Sequence, residues 1–153
     1  MMTYCIFLSH GILYAIPTTE IRIVPSSYPI NSIPTSNHYI KGLMNIYGDI
    51  YTAIQLEQHT KISVLDQYCI VLKNIHIGIL CEYVELIESD NIKNDMEEFS
   101  SLPSFVAGFL EIKHHTQFQA YLQSNLPNVE KNTHNIWIID IEKLQMCLYQ
   151  QSV

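Results

Sequence analysis

The segment Tyr39-Ile40-Lys41-Gly42-Leu43-Met44-Asn45-Ile46-Tyr47-Gly48-Asp49-Ile50-Tyr51-Thr52-Ala53-Ile54-Gln55-Leu56 reads as strand, turn and strand. Tyr39 to Met44 opens an apolar unit. Gly48-Asp49 supplies the tight turn, and Ile50 to Leu56 returns with mixed polarity at Tyr51, Thr52 and Gln55. The aromatic-x-x-glycine start recurs in Phe105-Val106-Ala107-Gly108-Phe109-Leu110-Glu111-Ile112, at an offset of 66. Two further blocks keep the same order. Tyr14-Ala15-Ile16, followed by Ile21 and Val24, matches Ile77-Gly78-Ile79, followed by Val84 and Ile87, at an offset of 63. Ile54-Gln55-Leu56-Glu57 matches Ile139-Asp140-Ile141-Glu142 at an offset of 85. Three blocks in one order define an internal repeat.

Each half reads as a hairpin, a third strand, the aromatic-x-x-glycine strand and a closing strand. The first hairpin turns at Ser9-His10-Gly11, between Tyr4–Leu8 and Ile12–Ile16. The second turns at Lys73-Asn74, between Tyr68–Leu72 and Ile75–Leu80. Pro17 breaks the first hairpin, and Ile21, Ile23 and Val24 extend beyond it. Tyr83–Ile87 is the counterpart in the second half, and Ile136–Ile141 is its closing strand. Residues 25–38 form a proline-punctuated loop, and Glu88 to Glu98 a solvated connector. A short helix is expected over 116–125, and a terminal helix over Glu142–Gln150 with Leu144, Cys147 and Leu148 on one face. About five short strands per half point to small closed barrels, which leave no exposed edge.

The 153 residues suffice for one domain with a substantial core. Hydrophobic residues at 48% and charged residues at 15% exclude disorder for most of the chain. The net charge of −7 argues against nucleic acid and against an anionic membrane surface as partners. The longest uninterrupted apolar runs are about five residues, against the roughly 20 a bilayer requires. The first basic residue is Arg22, so the apolar start lacks the charged opening of a secretory signal. The expected setting is the cytoplasm, with Cys5, Cys69, Cys81 and Cys147 as reduced thiols in apolar surroundings.

No catalytic constellation emerges. The five glycines are isolated, so no phosphate-cradling loop is present. His114-His115 is the only histidine pair, and neighbours on a strand point to opposite faces, a poor chelate. His10 reads as a turn residue and His76 as solvent-facing. Asp49 and Asp66 read as turn residues. Mid-strand thiols in apolar text are inert. The expectation is a non-enzyme with no cofactor and no metal; a small-barrel nucleic-acid binder and an enzyme whose site assembles only in space are the rival classes.

The quoted segment resembles the signature of CheW-like domains, aromatic-[IV]-x-G-[VL]-[IM]-N-L-R-G-x-[IV]-[IV]-P-[IV]-[IV]-D-L. Phe7-Leu8 through Gly11, Tyr14-Ala15-Ile16-Pro17 and Ile21 are similar to the family's opening. Pro34 to Tyr39 resembles its lead-in. Ile77-Gly78-Ile79-Leu80 with Val84, Val106-Ala107-Gly108 and Trp137-Ile138-Ile139-Asp140-Ile141-Glu142-Lys143-Leu144 resemble later blocks. The resemblance spans nearly the whole chain, and its G-[LV]-[IM]-N block is the most specific part.

The resemblance implies a mostly β fold: two five-stranded SH3-like β-barrels in pseudo-repeat, with short helices in the second half and at the C-terminus. Residues 1–153 would form a single CheW-like domain. The first barrel would cover about 12–66 and the second about 67–140, the termini completing them. The implied function is a non-enzymatic adaptor in two-component signal transduction, coupling methyl-accepting chemoreceptors to the regulatory domain of a CheA-type histidine kinase. Chemotaxis or a type IV pilus chemosensory system is the implied setting. The alternative is a divergent scaffold that binds another signalling protein outside the receptor array.

Five departures stand out. Tyr47 occupies the place of the family's Arg, and Ile23 that of an acidic residue with which it often pairs near the receptor-binding surface. Loss of both charges together avoids an unpaired charge, and Tyr47 is expected to pack on Ile23. Thr52, Gln55 and Glu82 replace a Pro and two Asp. The expected partner-binding residues are Ile21, Ile23, Asn45 and Tyr47. Gly42, Gly48, Gly78 and Gly108 are expected to be structural turn glycines.

Overall fold

Runs such as Tyr4-Cys5-Ile6-Phe7-Leu8 are apolar at every position, which a strand tolerates only when both of its faces are buried. The computed structural model describes residues 2–25, 29–57, 62, 66–89, 92–94, 102–111 and 135–151. Among these, ten strands and one α-helix follow in chain order. They are β1 (Met2–Ser9), β2 (Ile12–Pro17), β3 (Ile21–Ile23), β4 (Ile40–Ile46), β5 (Asp49–Ile54), β6 (Tyr68–Leu72), β7 (Ile77–Cys81), β8 (Tyr83–Ser89), β9 (Val106–Glu111), β10 (Asn135–Ile139) and α1 (Ile141–Gln151). The expected helix over 116–125 and the pair His114-His115 lie outside the described residues, as does much of the expected connector.

The strands form two five-stranded sheets, β8-β1-β2-β10-β9 and β3-β6-β7-β5-β4. The sequence repeat is visible in them. β2 answers to β7, β3 to β8, β4 to β9 and β5 to β10. Two parallel pairings are equivalent: Trp137 faces Tyr14, and Thr52 faces Ile77. Yet each sheet combines the hairpin of one half with the last three strands of the other. The sheets therefore cut across the expected 12–66 and 67–140 units. Periodicity assigns a residue to a face; it does not say which strand lies alongside.

The alternation along β1 separates two cores. Tyr4, Ile6 and Leu8 meet Leu13 and Ala15 of β2, Leu110 of β9 and Ile136 and Ile138 of β10. With Tyr83 and Ile87 of β8 packed against it, all five strands of that sheet contribute to this filling, so the sheet wraps around it. In the second sheet Met44, Ile46, Tyr51, Ala53, Cys69, Val71 and Leu80 do the same. The opposite faces meet each other. Cys5, Phe7, Tyr14 and Ile16 pack with Ile54, Ile70, Leu72 and Ile79 between the sheets. Among the described residues, strand pairing does not close either sheet into a ring; the two five-stranded sheets are consistent with the expected two-subdomain fold.

Helix α1 begins where the sequence offers a cap. Asp140 was expected inside the last strand, but that strand ends at Ile139, and Asp140 Oδ1 accepts the Lys143 N–H at 3.1 Å. Leu144 and Leu148 enter the inter-sheet core and Cys147 is half-buried.

Three of the four expected turn glycines are not in turns. Gly42, Gly78 and Gly108 lie within β4, β7 and β9. A Cβ on Gly42 would meet the Asn31 carbonyl oxygen at 2.5 Å, and one on Gly108 the Lys93 carbonyl oxygen at 2.8 Å. In each half a crossing segment bridges to the next residue, Asn31 to Leu43 and Lys93 to Phe109. Close backbone approach makes both positions glycine. Gly78 leaves room for the side chains of Cys69 and Met44. The Lys73-Asn74 turn is also wider than expected: β7 starts at Ile77, after a loop in which the Ile75 N–H reaches the Lys73 carbonyl at 2.7 Å.

Candidate functional site

The β4–β5 turn consists of Tyr47 and Gly48, one residue earlier than the sequence suggests. Ile46 pairs with Asp49, and the two residues between them have φ of 52° and 90°. Positive φ at both central positions is the type I′ signature, the form that matches strand twist in two-residue hairpins. Glycine adopts it freely. A tyrosine there costs roughly 1–2 kcal/mol, because its Cβ crowds the following carbonyl. The Asn45 side-chain oxygen accepts the Gly48 N–H at 3.0 Å and braces the turn. Tyr47 gains no burial in return: it is 85% exposed, and Ile50 beside it is 51% exposed. It does not cover Ile23, contrary to expectation. Ile23 packs against the filling of the second sheet, and Ile21 against the inter-sheet core.

Arg22, between these two isoleucines, points the other way. Its Nη1 donates to Asp49 Oδ2 at 3.0 Å and to the Tyr51 hydroxyl, and the guanidinium lies 5.9 Å from the Tyr51 ring centre. His76 stacks on Tyr51, 5.2 Å between ring centres, with Nδ1 2.9 Å from the Ile50 carbonyl oxygen. A charge pair does form between near neighbours of Ile23 and Tyr47, namely Arg22 and Asp49. Sequence reading passed over Arg22. The available signal was its phase: one basic residue on the outward side of an apolar strand. Of the four expected contact residues, the structure leaves Tyr47 and Asn45 exposed and half-buries Ile21 and Ile23.

A second turn with the same backbone joins β1 to β2. His10 and Gly11 have φ of 47° and 83°. This turn sits on the seam between the sheets. The His10 N–H donates to Glu82 Oε1 at 3.2 Å. The His10 Nε2 lies 3.9 Å from Asp66 Oδ1 and 3.1 Å from the Gln55 side-chain nitrogen, which donates to Asp66 Oδ2 at 2.8 Å. Beside it, Ser9 Oγ and the Tyr14 hydroxyl each donate to the Glu57 carboxylate at 2.6 Å. Burial pushes the Glu57 carboxyl above the usual carboxylate range, and these two donors partly offset it. His10 and Asp66 were expected to be turn residues only; no spacing rule links positions so far apart.

The three mid-strand thiols, Cys5, Cys69 and Cys81, are buried. Burial raises Cys5 to about 11 and Cys69 to about 12, and Cys81 also lies well above its ordinary value. A groove of about 470 Å³ runs between α1 and the second sheet, walled by Ile40, Ile77, Leu148 and Tyr149. No helix among the described residues is long and apolar enough to cross a membrane.

The family model of the CheW-like domain matches residues 3–145. A crystal structure of the scaffolding protein TtCheW from Thermoanaerobacter tengcongensis has a similar fold, with a TM-score of 0.65 and 18% sequence identity. The match covers 91% of this chain and 88% of that one. No curated protein is a significant match to the sequence.

Proposed function

The chain belongs to the CheW-like domain family, and from that premise we propose that it is a non-enzymatic signalling scaffold. In this reading it acts in the cytoplasm. It couples methyl-accepting chemoreceptors to the regulatory domain of a CheA-type histidine kinase, in chemotaxis or a type IV pilus chemosensory system. The observation that carries the reading is Tyr47, a large side chain held in a strained conformation and 85% exposed. Strain kept at an exposed position is characteristic of sites that work by contact. Buried aromatic anchors supply most of the energy in protein interfaces, and Tyr47 with Ile50 offers such an anchor. Asn45 holds the turn in shape, and Ile21 and Ile23 support the surface from beneath.

Titration of the purified chain against the kinase regulatory domain tests the proposal. Micromolar or tighter binding is expected. A second reading, a divergent scaffold serving a different signalling partner outside the array, is favoured by the Arg22–Asp49 pair beside an aromatic at position 47. Mixing the chain with receptor and kinase together separates the two. Formation of a ternary complex supports the first reading, and absence of binding by a folded chain supports the second.

A further inference from the structure

We propose that His10, Asp66 and Glu82 form a binding site for one divalent transition-metal cation, Zn²⁺ in the first instance, clipping the two sheets together at their seam. One donor atom from each side chain lies within 4.8 Å of the others. Zinc holds nitrogen and oxygen ligands at about 2.0–2.2 Å, which puts tetrahedral donors about 3.4 Å apart. Short side-chain rotations of His10 and Glu82, both half-exposed, close that gap.

The three residues come from separate segments. His10 lies in the β1–β2 turn of the first sheet. Asp66 leads into β6 of the second. Glu82 is the single residue between β7 of the second sheet and β8 of the first. Each is already positioned. The left-handed His10 is set by its two-residue turn, and its N–H rests on the Glu82 carboxylate. The Asp66 side chain is fully shielded and oriented by the Gln55 amide. Such outer contacts are what orient metal ligands. One imidazole and two carboxylates suit a borderline cation. Mg²⁺ and Ca²⁺ require six or more oxygens, which three side chains with a nitrogen among them do not provide. Three protein ligands leave a fourth position for water. Binding would exchange the Gln55 contact at His10 Nε2 for a coordinate bond, while Gln55 keeps Asp66. This inference is independent of the adaptor reading.

Calorimetric titration of the full chain with ZnCl₂ at pH 7.5, thiols kept reduced, with MgCl₂ as control, tests it. One Zn²⁺ per chain is expected, with a rise in melting temperature, because a ligand bound only by the native state stabilises it. His10→Asn keeps the turn, since Asn accepts positive φ. This variant and Glu82→Gln are each expected to weaken binding at least tenfold, while a His114→Ala/His115→Ala double variant binds as the wild type does. Absence of binding, equal affinity for Mg²⁺, or undiminished affinity in His10→Asn and Glu82→Gln would overturn the proposal. Should either variant misfold, the visible spectrum of the Co²⁺-loaded wild-type chain decides. Thiolate charge-transfer bands would contradict it, and their absence from a one-site spectrum would support it.

Discussion

The turns His10-Gly11 and Tyr47-Gly48 share a backbone and differ in what surrounds them. Both place a non-glycine residue in the left-handed region and a glycine after it. Around His10 the opposite sheet supplies Gln55 and Asp66, and the link between the sheets supplies Glu82, so the cost of the turn is met by polar contacts at the seam. At Tyr47 the turn is braced by the Asn45 side chain, and the tyrosine is 85% exposed. Tyrosines behind each turn repeat the contrast. The Tyr14 hydroxyl supports a carboxylate that burial has pushed upward, whereas the Tyr51 hydroxyl accepts from an exposed arginine. In the proposed reading one turn serves the fold and the other serves a partner.

Replacing each tyrosine breaks the comparison most strongly. Tyr14→Phe removes a hydrogen bond to a partly buried charge and should cost about 2 kcal/mol near neutrality. Tyr51→Phe should cost less than about 1 kcal/mol, because Arg22 keeps Asp49 and water. The Tyr14→Phe penalty has a sign in pH. The Glu57 carboxyl has a raised folded value, so its proton favours the native state at low pH and its ionisation costs stability as pH rises through that value. The penalty should therefore be small below the ordinary carboxylate range and grow above it. Urea unfolding at several pH values would show this, and a pH-independent penalty would count against Glu57 as the linked group.

Backbone substitutions come next in size. Gly11→Ala and Gly48→Ala meet no neighbour within 4 Å, so only conformational strain acts. Each should lose roughly 1–2 kcal/mol, and by similar amounts. A large inequality would mean that the two turns are not the same backbone problem. The smallest effect has the opposite sign. Tyr47→Asn creates Asn-Gly, the preferred pair for this turn, and should raise stability by about 0.5–1 kcal/mol. His10→Asn should gain less, since it gives up seam contacts. Thermal melts of the two variants in metal-free buffer would rank them.

Much of this architecture could be read from residues. The offsets of 63, 66 and 85 pair β2 with β7, β3 with β8, β4 with β9 and β5 with β10, and the structure keeps all four correspondences. The exchange of hairpins between the sheets was not legible. Tyr4-Cys5-Ile6-Phe7-Leu8 says that both faces are buried, and it is silent about which strands bury them. The turn at 47–48 was misplaced to Gly48-Asp49 because a tyrosine at positive φ contradicts local propensity. The exposure of the proposed contact residues was legible in part. Tyr47 and Asn45 stood out by position, whereas Ile21 and Ile23 proved to flank the cores, with Arg22 between them facing outward. The seam was not legible at all. In the sequence Gln55 and Glu82 stand out only as departures from the family pattern, and tertiary folding alone brings them to His10 and Asp66.

The most direct test of the account titrates Tyr47→Asn and His10→Asn side by side against the kinase regulatory domain and the receptor tip. The account predicts that Tyr47→Asn loses about 2 kcal/mol of binding to at least one of them while folding at least as stably as the wild type. His10→Asn should bind both within about twofold of the wild type, since the proposed contact surface lies at the other turn. Full binding by Tyr47→Asn, or an equal loss in both variants, would contradict the assignment of one turn to the partner and the other to the fold.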